Sequence, residues 1–375
     1  MRILHICSGN LYGGVETIQV TLARYRNECP QMEPHFSVCF EGRLSRELRE
    51  LEVPVHNLGV VRVRNPFSIW SARAQLRELL SHSHYDAAVC HSAWSQAIFG
   101  PVVRSTGVPL LFWLHGAPSG QHWLERWAKR TPPEKIICCS RFTRNLIANV
   151  YAGVPSAVVY APVSPIVKPT SEAQRFAIRS ELSTPADAVV VIQVSRMEAW
   201  KGHELHLEAL SKIRHIPGWM CWFVGGAQHP EEERYLQELK WKAERYGIAH
   251  RLRFLGQRTD IPRLLTASDL FCQPNVGPEP FGIVFVEALS AGLPVITTAM
   301  GGPLEIIRWN CGVLIPPNNA SALAVSLKRL TVNHEVRMRM SDSAPLRALE
   351  MCNPSIQVKR LFGVIKRTVA WRYVA

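Results

Sequence analysis

The sequence predicts an α/β protein made of two doubly wound parallel-sheet domains facing a central cleft. Three observations carry that expectation. Short apolar runs alternate with amphipathic helical stretches, first in one half of the chain and again in the other. The alternation stops once, at a proline-rich segment in the middle. A length of 375 residues also exceeds what one ordinary core organises.

Residues 1–165 form the first domain in this reading. "RILHIC" is the opening strand, followed by a Gly-containing loop and the helical stretch "VETIQVTLARYR". Further strands are expected at "HFSVCF", "DAAVCH", "PLLFWLH", "KIICCS" and "AVVYA", with helices at "SRELRELE", "SIWSARAQLRELLSHS" and "RFTRNLIANVY". The break falls near "APVSPIVKPTSEA", where Pro155, Pro162, Pro165 and Pro169 crowd together as between domains. Residues 166–352 form the second domain, with strands at "AVVVIQVS", "WMCWFVGG", "LRFLG", "DLFCQP", "PVITT" and "GVLIPP". Its helices include "HELHLEALSKI" and "EEERYLQELKWKAERYG", and residues 353–375 close the chain as an amphipathic helix packing back towards the first domain.

Composition narrows the class. The chain is 47% hydrophobic and 19% charged, as soluble globular proteins are. Ten scattered cysteines with no C-x-x-C argue against a zinc site or a disulfide scaffold and for a reducing cytoplasm. The first apolar run is too short for a signal peptide, and Phe281–Met300 is too interrupted for a membrane span. The net charge of +13 is shared between the halves: 17 Lys+Arg against 11 Asp+Glu in residues 1–165, and 26 against 19 beyond. That balance suits an anionic substrate or an anionic membrane surface. Without a basic run or an RNA-binding aromatic signature, nucleic acid is not expected as a partner.

Three stretches carry chemistry. In "SGNLYGGVET", Gly9, Gly13 and Gly14 between strand and helix can bring backbone amides to an anion, although an ordinary tight turn reads as well. The loop is neither G-x-G-x-x-G nor a P-loop. In "QVSRMEAWKGHE" a strand ends at Ser195, Arg196 follows, and Lys201 precedes a Gly202 that opens a helix. A guanidinium, an ammonium and a helix N-terminus at one spot suit a diphosphate, against the plainer reading of two solvated charges.

The third stretch is "PEPFGIVFVEALSAGLPV". Pro280 suits a first helical turn and Gly292 with Pro294 an end, so "FGIVFVEALSA" reads as a buried helix of about three turns. The amides of Phe281, Gly282 and Ile283 can then hold phosphate oxygens. Glu287, inside an apolar run, either accepts a vicinal diol such as a ribose or pairs with an internal arginine. Glu279 stands just before the helix, close to the same anion.

Taken in order, these blocks resemble the retaining nucleotide-sugar glycosyltransferases of the group-one class (family four), which have the GT-B fold of two Rossmann-like domains. "PEPFGIVFVEALSAGLPVITTAMGGPLEII" is similar to the E-x7-E region of that class, "VIQVSRMEAWKGHELHLEAL" to its Arg…Lys-Gly segment, and "SGNLYGGVETIQVTLA" to its first loop. "RFLGQRTDIPRLLTASDLFCQP" is similar to the approach to its donor site. The similarity covers nearly the whole chain and is strongest over residues 188–315.

The resemblance implies a nucleotide-diphosphate sugar, uridine favoured, held mainly by the second domain. Arg196 and Lys201 would grip the diphosphate, Glu287 the ribose, and Glu279 the sugar with the amides of Phe281, Gly282 and Ile283. Gln257 and Arg258 fall where loop backbone approaches the base, and Gly301, Gly302 and Glu305 carry the class's glycine pair. In the first domain Gly13 and Gly14 would face phosphates or acceptor, His115 matches the class's histidine near the transferred sugar, and Glu16 and His91 are acceptor-side candidates. The implied catalytic set is Glu279, His115, Arg196 and Lys201. Transfer would retain the anomeric configuration, need no cofactor and, with two cations on the diphosphate and no Asp-x-Asp in the chain, no metal.

The acceptor expected is a hydroxyl of a glycan or lipid-linked molecule in bacterial surface polysaccharide or glycolipid assembly. "HWLERWAKR" places Trp123 and Trp127 on one helical face beside Arg126, Lys129 and Arg130, which suits peripheral contact with the inner face of a plasma membrane or, equally, packing into the domain. A non-catalytic nucleotide-sugar-binding protein of the same fold is the rival reading.

Overall fold

The computed structural model describes residues 1–10, 12–166 and 171–371. Leu11, residues 167–170 with Pro169 among them, and residues 372–375 lie outside the described residues. The chain forms two compact units. One is Met1–Ser164 together with the segment that starts at Cys352; the other is Pro165–Met351.

Among its described residues the first unit holds seven strands: β1 Arg2–Ile6, β2 Glu33–Val38, β3 Val55–Asn57, β4 Ala87–Cys90, β5 Leu110–Leu114, β6 Lys135–Cys138 and β7 Ser156–Val158. They pair in the order β3-β2-β1-β4-β5-β6-β7, every pair parallel. The second unit holds β8 Val189–Val194, β9 Trp219–Val224, β10 Leu252–Phe254, β11 Leu270–Gln273, β12 Val295–Thr298 and β13 Gly312–Ile315. These run β10-β9-β8-β11-β12-β13, again all parallel. Strand order reverses between β1 and β4 in one sheet and between β8 and β11 in the other. Open parallel sheets bind ligands beyond the carboxyl ends of the strands at such switch points.

Parallel sheets buried on both faces need nearly continuous apolar strands. Leu110–Leu114 and Trp219–Val224 are buried at every position. Core packing follows: Leu4, Ile98, Phe99, Phe112 and Ile136 in the first unit, and Leu207, Leu210, Phe223, Leu270 and Leu323 in the second.

The structure corrects four local expectations. The edge strand β3 was absent from the sequence reading, because three partly exposed residues make no apolar run. The proline-rich break does not extend to Ala173: Ser171 caps a helix at Glu172–Glu181, accepting from the Gln174 amide. The stretch "RFTRNLIANVY" splits into a helix at Arg141–Asn145 and a 3-10 turn at Ile147–Asn149, where Asn149 Nδ2 donates to Pro118 O at 2.9 Å. The helix expected from Phe281 to Ala291 runs only over Ile283–Ser290, and Pro280 stands outside its first turn. Gly282 is its N-cap at φ 96°, a left-handed conformation that an L residue rarely adopts, and a Cβ there would run into the Phe285 ring.

Candidate active site

The second unit assembles its polar groups where β8 and β11 end. After β8, Arg196 leads into one 3-10 turn, Ala199–Lys201. Gly202 then starts the helix His203–Lys212 at φ 76°, so close to the neighbouring loop that a Cβ would run into Pro274 O. A backbone bond from Val276 N to Trp200 O (2.9 Å) ties the two loops together. Only a glycine lets this turn approach the β11 loop so nearly, and that approach delivers Lys201.

Lys201 Nζ lies 2.7 Å from Glu279 Oε2, and the two side chains are only 13% and 12% exposed. The ammonium also sits 3.8 Å above the Trp200 ring centroid. The indole is held in turn: Trp200 Nε1 donates to Glu198 Oε2 at 2.9 Å, and Glu198 pairs with Arg196 at 3.0 Å. The structure therefore brings Arg196, Lys201 and Glu279 onto one ribbon of charges. Arg196 is 49% exposed, so its guanidinium can exchange a carboxylate for phosphate oxygens at little cost.

Glu279 is fixed from its backbone as well. It bridges to Gly301, and Gly302 N donates to Glu279 O at 2.7 Å. The glycine pair thus docks the segment Glu279–Phe281 against the next loop. Gly282 and Ile283 open the helix Ile283–Ser290, whose first amides have no intrahelical acceptors.

Glu287 sits on that helix, half-buried. Burial pushes its carboxyl up to about 7. Neither an arginine nor any other side chain among the described residues pairs with it. The internal-arginine alternative is not realised. A carboxyl held at high cost without a partner is suited to a ligand that brings donors to it.

Arg258 behaves differently. Its guanidinium is closed on Asp260 by two 2.8 Å bonds and reaches Glu181 at 3.4 Å. Its side chain serves the surface network, which leaves the backbone of Arg258 to meet a ligand. That backbone is brought in by Gly225 N, which donates to Gly256 O at 2.9 Å.

In the first unit the helix Gly14–Arg24 begins beyond β1 with Gly13 as N-cap, and Glu16 Oε2 accepts from the Gly13 amide at 2.9 Å. Glu16 therefore closes its own helix end. His91 and His115, following β4 and β5, meet at 3.1 Å. Two residues absent from the sequence reading complete the chain: His5 Nδ1 lies 2.9 Å from His91 Nε2, and Gln19 Nε2 lies 2.6 Å from His91 Nδ1. The Trp113 ring stacks on His115 at 5.2 Å between centroids. Burial lowers His5 and His115 to about 3 and His91 well below its ordinary value, so all three rings are neutral near pH 7. Only His115, at the outer end, is partly exposed. It can accept or donate one hydrogen bond there.

Trp123 and Trp127, on the short helix Trp123–Ala128, do not share one role. Trp123 is exposed, whereas Trp127 packs against the first unit's core. The most exposed aromatics of this unit's described residues ahead of its closing helix are Phe67 (82%) and Trp70 (71%), near the exposed Arg62 and Arg64. Their apolar-basic mixture stands in the sequence as "VRVRNPFSIW". No described helix is long and apolar enough to cross a membrane.

The chain also resembles known proteins. Residues 174–347 match the family model described as glycosyl transferases group 1, and residues 12–165 match that described as glycosyltransferase family 4. The chain is similar to the lipopolysaccharide core biosynthesis glycosyltransferase LpsE of Rhizobium meliloti (strain 1021), 30% identical over 165 residues, which is 44% of this chain and 46% of that protein. It is also similar to the D-inositol 3-phosphate glycosyltransferase of Corynebacterium jeikeium (strain K411), 26% identical over 72% of this chain and 68% of that one. The chain thus spans under half the length of the first of these relatives. Among solved structures, Anabaena Alr3699/HepE in complex with UDP and glucose superposes with a TM-score of 0.87 at 23% identity, covering 98% of this chain and 100% of that one.

Proposed function

The chain belongs to the group 1 glycosyltransferases with the GT-B fold, and from that premise we propose that it moves a sugar from a UDP-sugar to a hydroxyl of a glycan or lipid-linked acceptor, with retention of configuration. The observation that carries the reading is the Lys201–Glu279 pair, 2.7 Å apart, on the ribbon that leads into the helix bearing the unpartnered Glu287. Arg196 and Lys201 take the diphosphate and stabilise the charge that grows on it as the bond from the anomeric carbon to the phosphate oxygen breaks. The acceptor oxygen forms the new bond on the same face, and its proton passes to the departing phosphate. Glu279 orients the sugar, Glu287 receives the ribose hydroxyls, and the neutral His115 offers one further hydrogen bond.

The uridine preference is supported by the solved HepE complexes with UDP and with UDP-glucose, and the acceptor class by relatives named for lipopolysaccharide core and inositol phosphate. Phe67, Trp70, Arg62 and Arg64 supply an apolar-basic surface for an anionic membrane on which a lipid-linked acceptor lies. One assay tests the proposal. Purified protein is given a panel of UDP-, GDP- and ADP-sugars with anionic vesicles carrying extracted glycolipid, in the presence of EDTA. The expected result is transfer from a UDP-sugar, undiminished by EDTA, with the protein sedimenting with the vesicles at low salt. Binding of nucleotide sugars without any transfer or hydrolysis would instead favour the non-catalytic binder.

A further inference from the structure

Glu279 presents two oxygens in unequal surroundings. Oε2 receives Lys201 Nζ at 2.7 Å and Asn275 Nδ2 at 2.8 Å. Oε1 has no partner among the described residues. A carboxylate only accepts, so the Asn275 amide must turn its NH2 towards it. Asn275 Oδ1 then faces away and receives Gln273 Nε2 at 2.9 Å. The polarity is forced one step further, because Gln273 must donate at this contact, and its own Oε1 is left buried without a hydrogen-bond partner. An orphaned buried carbonyl costs stability, and a methionine or leucine at 273 would avoid it.

Both amides are held from behind. Thr297 Oγ1 donates to Gln273 O at 2.8 Å, and Thr298 Oγ1 to Asn275 O at 2.7 Å. Asn275 is 1% exposed and Gln273 fully buried, so neither side chain has room to swing. The result is a directed chain of amides from the end of β11 to one oxygen of one glutamate.

The two donors on Oε2 differ in what an arriving diphosphate does to them. An ammonium is drawn to phosphate oxygens and its hold on Glu279 weakens; a neutral amide is not drawn away. We propose that Asn275, oriented by Gln273, is a positioning residue that pins Oε2 of Glu279 while the diphosphate engages Lys201, so that Oε1 stays aimed at a hydroxyl of the donor sugar. This rests on the reading that Glu279 meets the sugar, and it makes Asn275 a determinant of how the site tells a sugar nucleotide from the bare nucleotide.

The test compares binding of UDP and of UDP-glucose by calorimetry in the wild type, Asn275→Ala, Asn275→Asp and Gln273→Met, with thermal melting of each. In the wild type UDP-glucose is expected to bind more tightly than UDP. In both Asn275 variants that advantage should collapse at least fivefold, while affinity for UDP alone changes by less than twofold. Asn275→Asp keeps the side-chain volume and loses the donor, so it separates positioning from packing. Gln273→Met should show a smaller loss of the advantage with melting unchanged or raised. The inference is overturned if either Asn275 variant keeps the wild-type advantage, or if both ligands weaken alike. If the wild type itself binds neither UDP nor UDP-glucose, the proposed function falls and this inference with it.

Discussion

At the ends of β8 and β11 a lysine and a glutamate meet at 2.7 Å beside an indole face, and burial pushes a second glutamate up to about 7 with no side-chain partner among the described residues. At the ends of β1, β4 and β5 in the other unit, three imidazoles and a glutamine line up at 2.6 to 3.1 Å, all neutral. The same sheet architecture therefore hosts two kinds of polar centre. One holds its charges at a partly solvated loop edge. The other lies in a buried seam, where burial has removed the charge. The difference teaches which properties to disturb in each.

The largest effect is expected where charge does the work. Lys201→Ala or Glu279→Ala should lower turnover by about a hundredfold, the range seen when a single group stabilising developing charge is removed. Circular dichroism and melting should show the fold retained. Near-wild-type turnover in either variant would break the contrast between the two centres.

Next comes the pH dependence of Glu287. Its carboxyl sits at about 7 against an ordinary 4.5, so the folded chain holds a proton that the unfolded chain releases. Stability from this group is full below pH 4.5 and is lost as pH rises through 7. Denaturant titrations should show about 2–3 kcal/mol less of that loss in Glu287→Gln between pH 5.5 and 8.5. Binding of UDP should run the other way, stronger at pH 8 than at pH 6, because ribose hydroxyls donate to the ionised form. A flat wild-type profile would remove the ribose assignment.

The smallest effect belongs to the histidine seam. His91→Leu leaves Gln19 and the neighbouring rings without a partner and should cost about 1–2 kcal/mol of stability. His115→Ala should lower turnover without moving the pH profile, since the ring is neutral throughout that range. A shift in the acid limb on losing His115 would mean that the seam carries charge after all.

Legibility in the sequence follows the same division. Arg196 with Lys201, and Glu279 with Glu287, each lie within a few residues of one another beside a glycine or proline, so local spacing exposes them. The Lys201–Glu279 contact joins positions 78 apart. Gln19 and His91 are 72 apart, and His5 and His91 are 86 apart. Nothing local marks Gln19 or His5, which read as ordinary members of a helix and a strand. Asn275 and Gln273 likewise read as strand and loop, because their task appears only when the polarity of Glu279 is imposed on them. Glu16, a carboxylate near a glycine loop, accepts from the Gly13 amide at its own helix end.

By itself the amino-acid order determined the two parallel α/β sheets, because buried strands must be apolar and crossover helices amphipathic, and both patterns are local periodicities. It also determined which loops hold cations, carboxylates and glycines. Tertiary structure alone decided which cation faces which carboxylate, which histidines lose their charge, where the helix after Glu279 begins, and which amides aim its oxygens. Those outcomes depend on burial and on contacts between strands distant in sequence, and hydrogen-bond direction and pKa answer to that surrounding space rather than to neighbours along the chain.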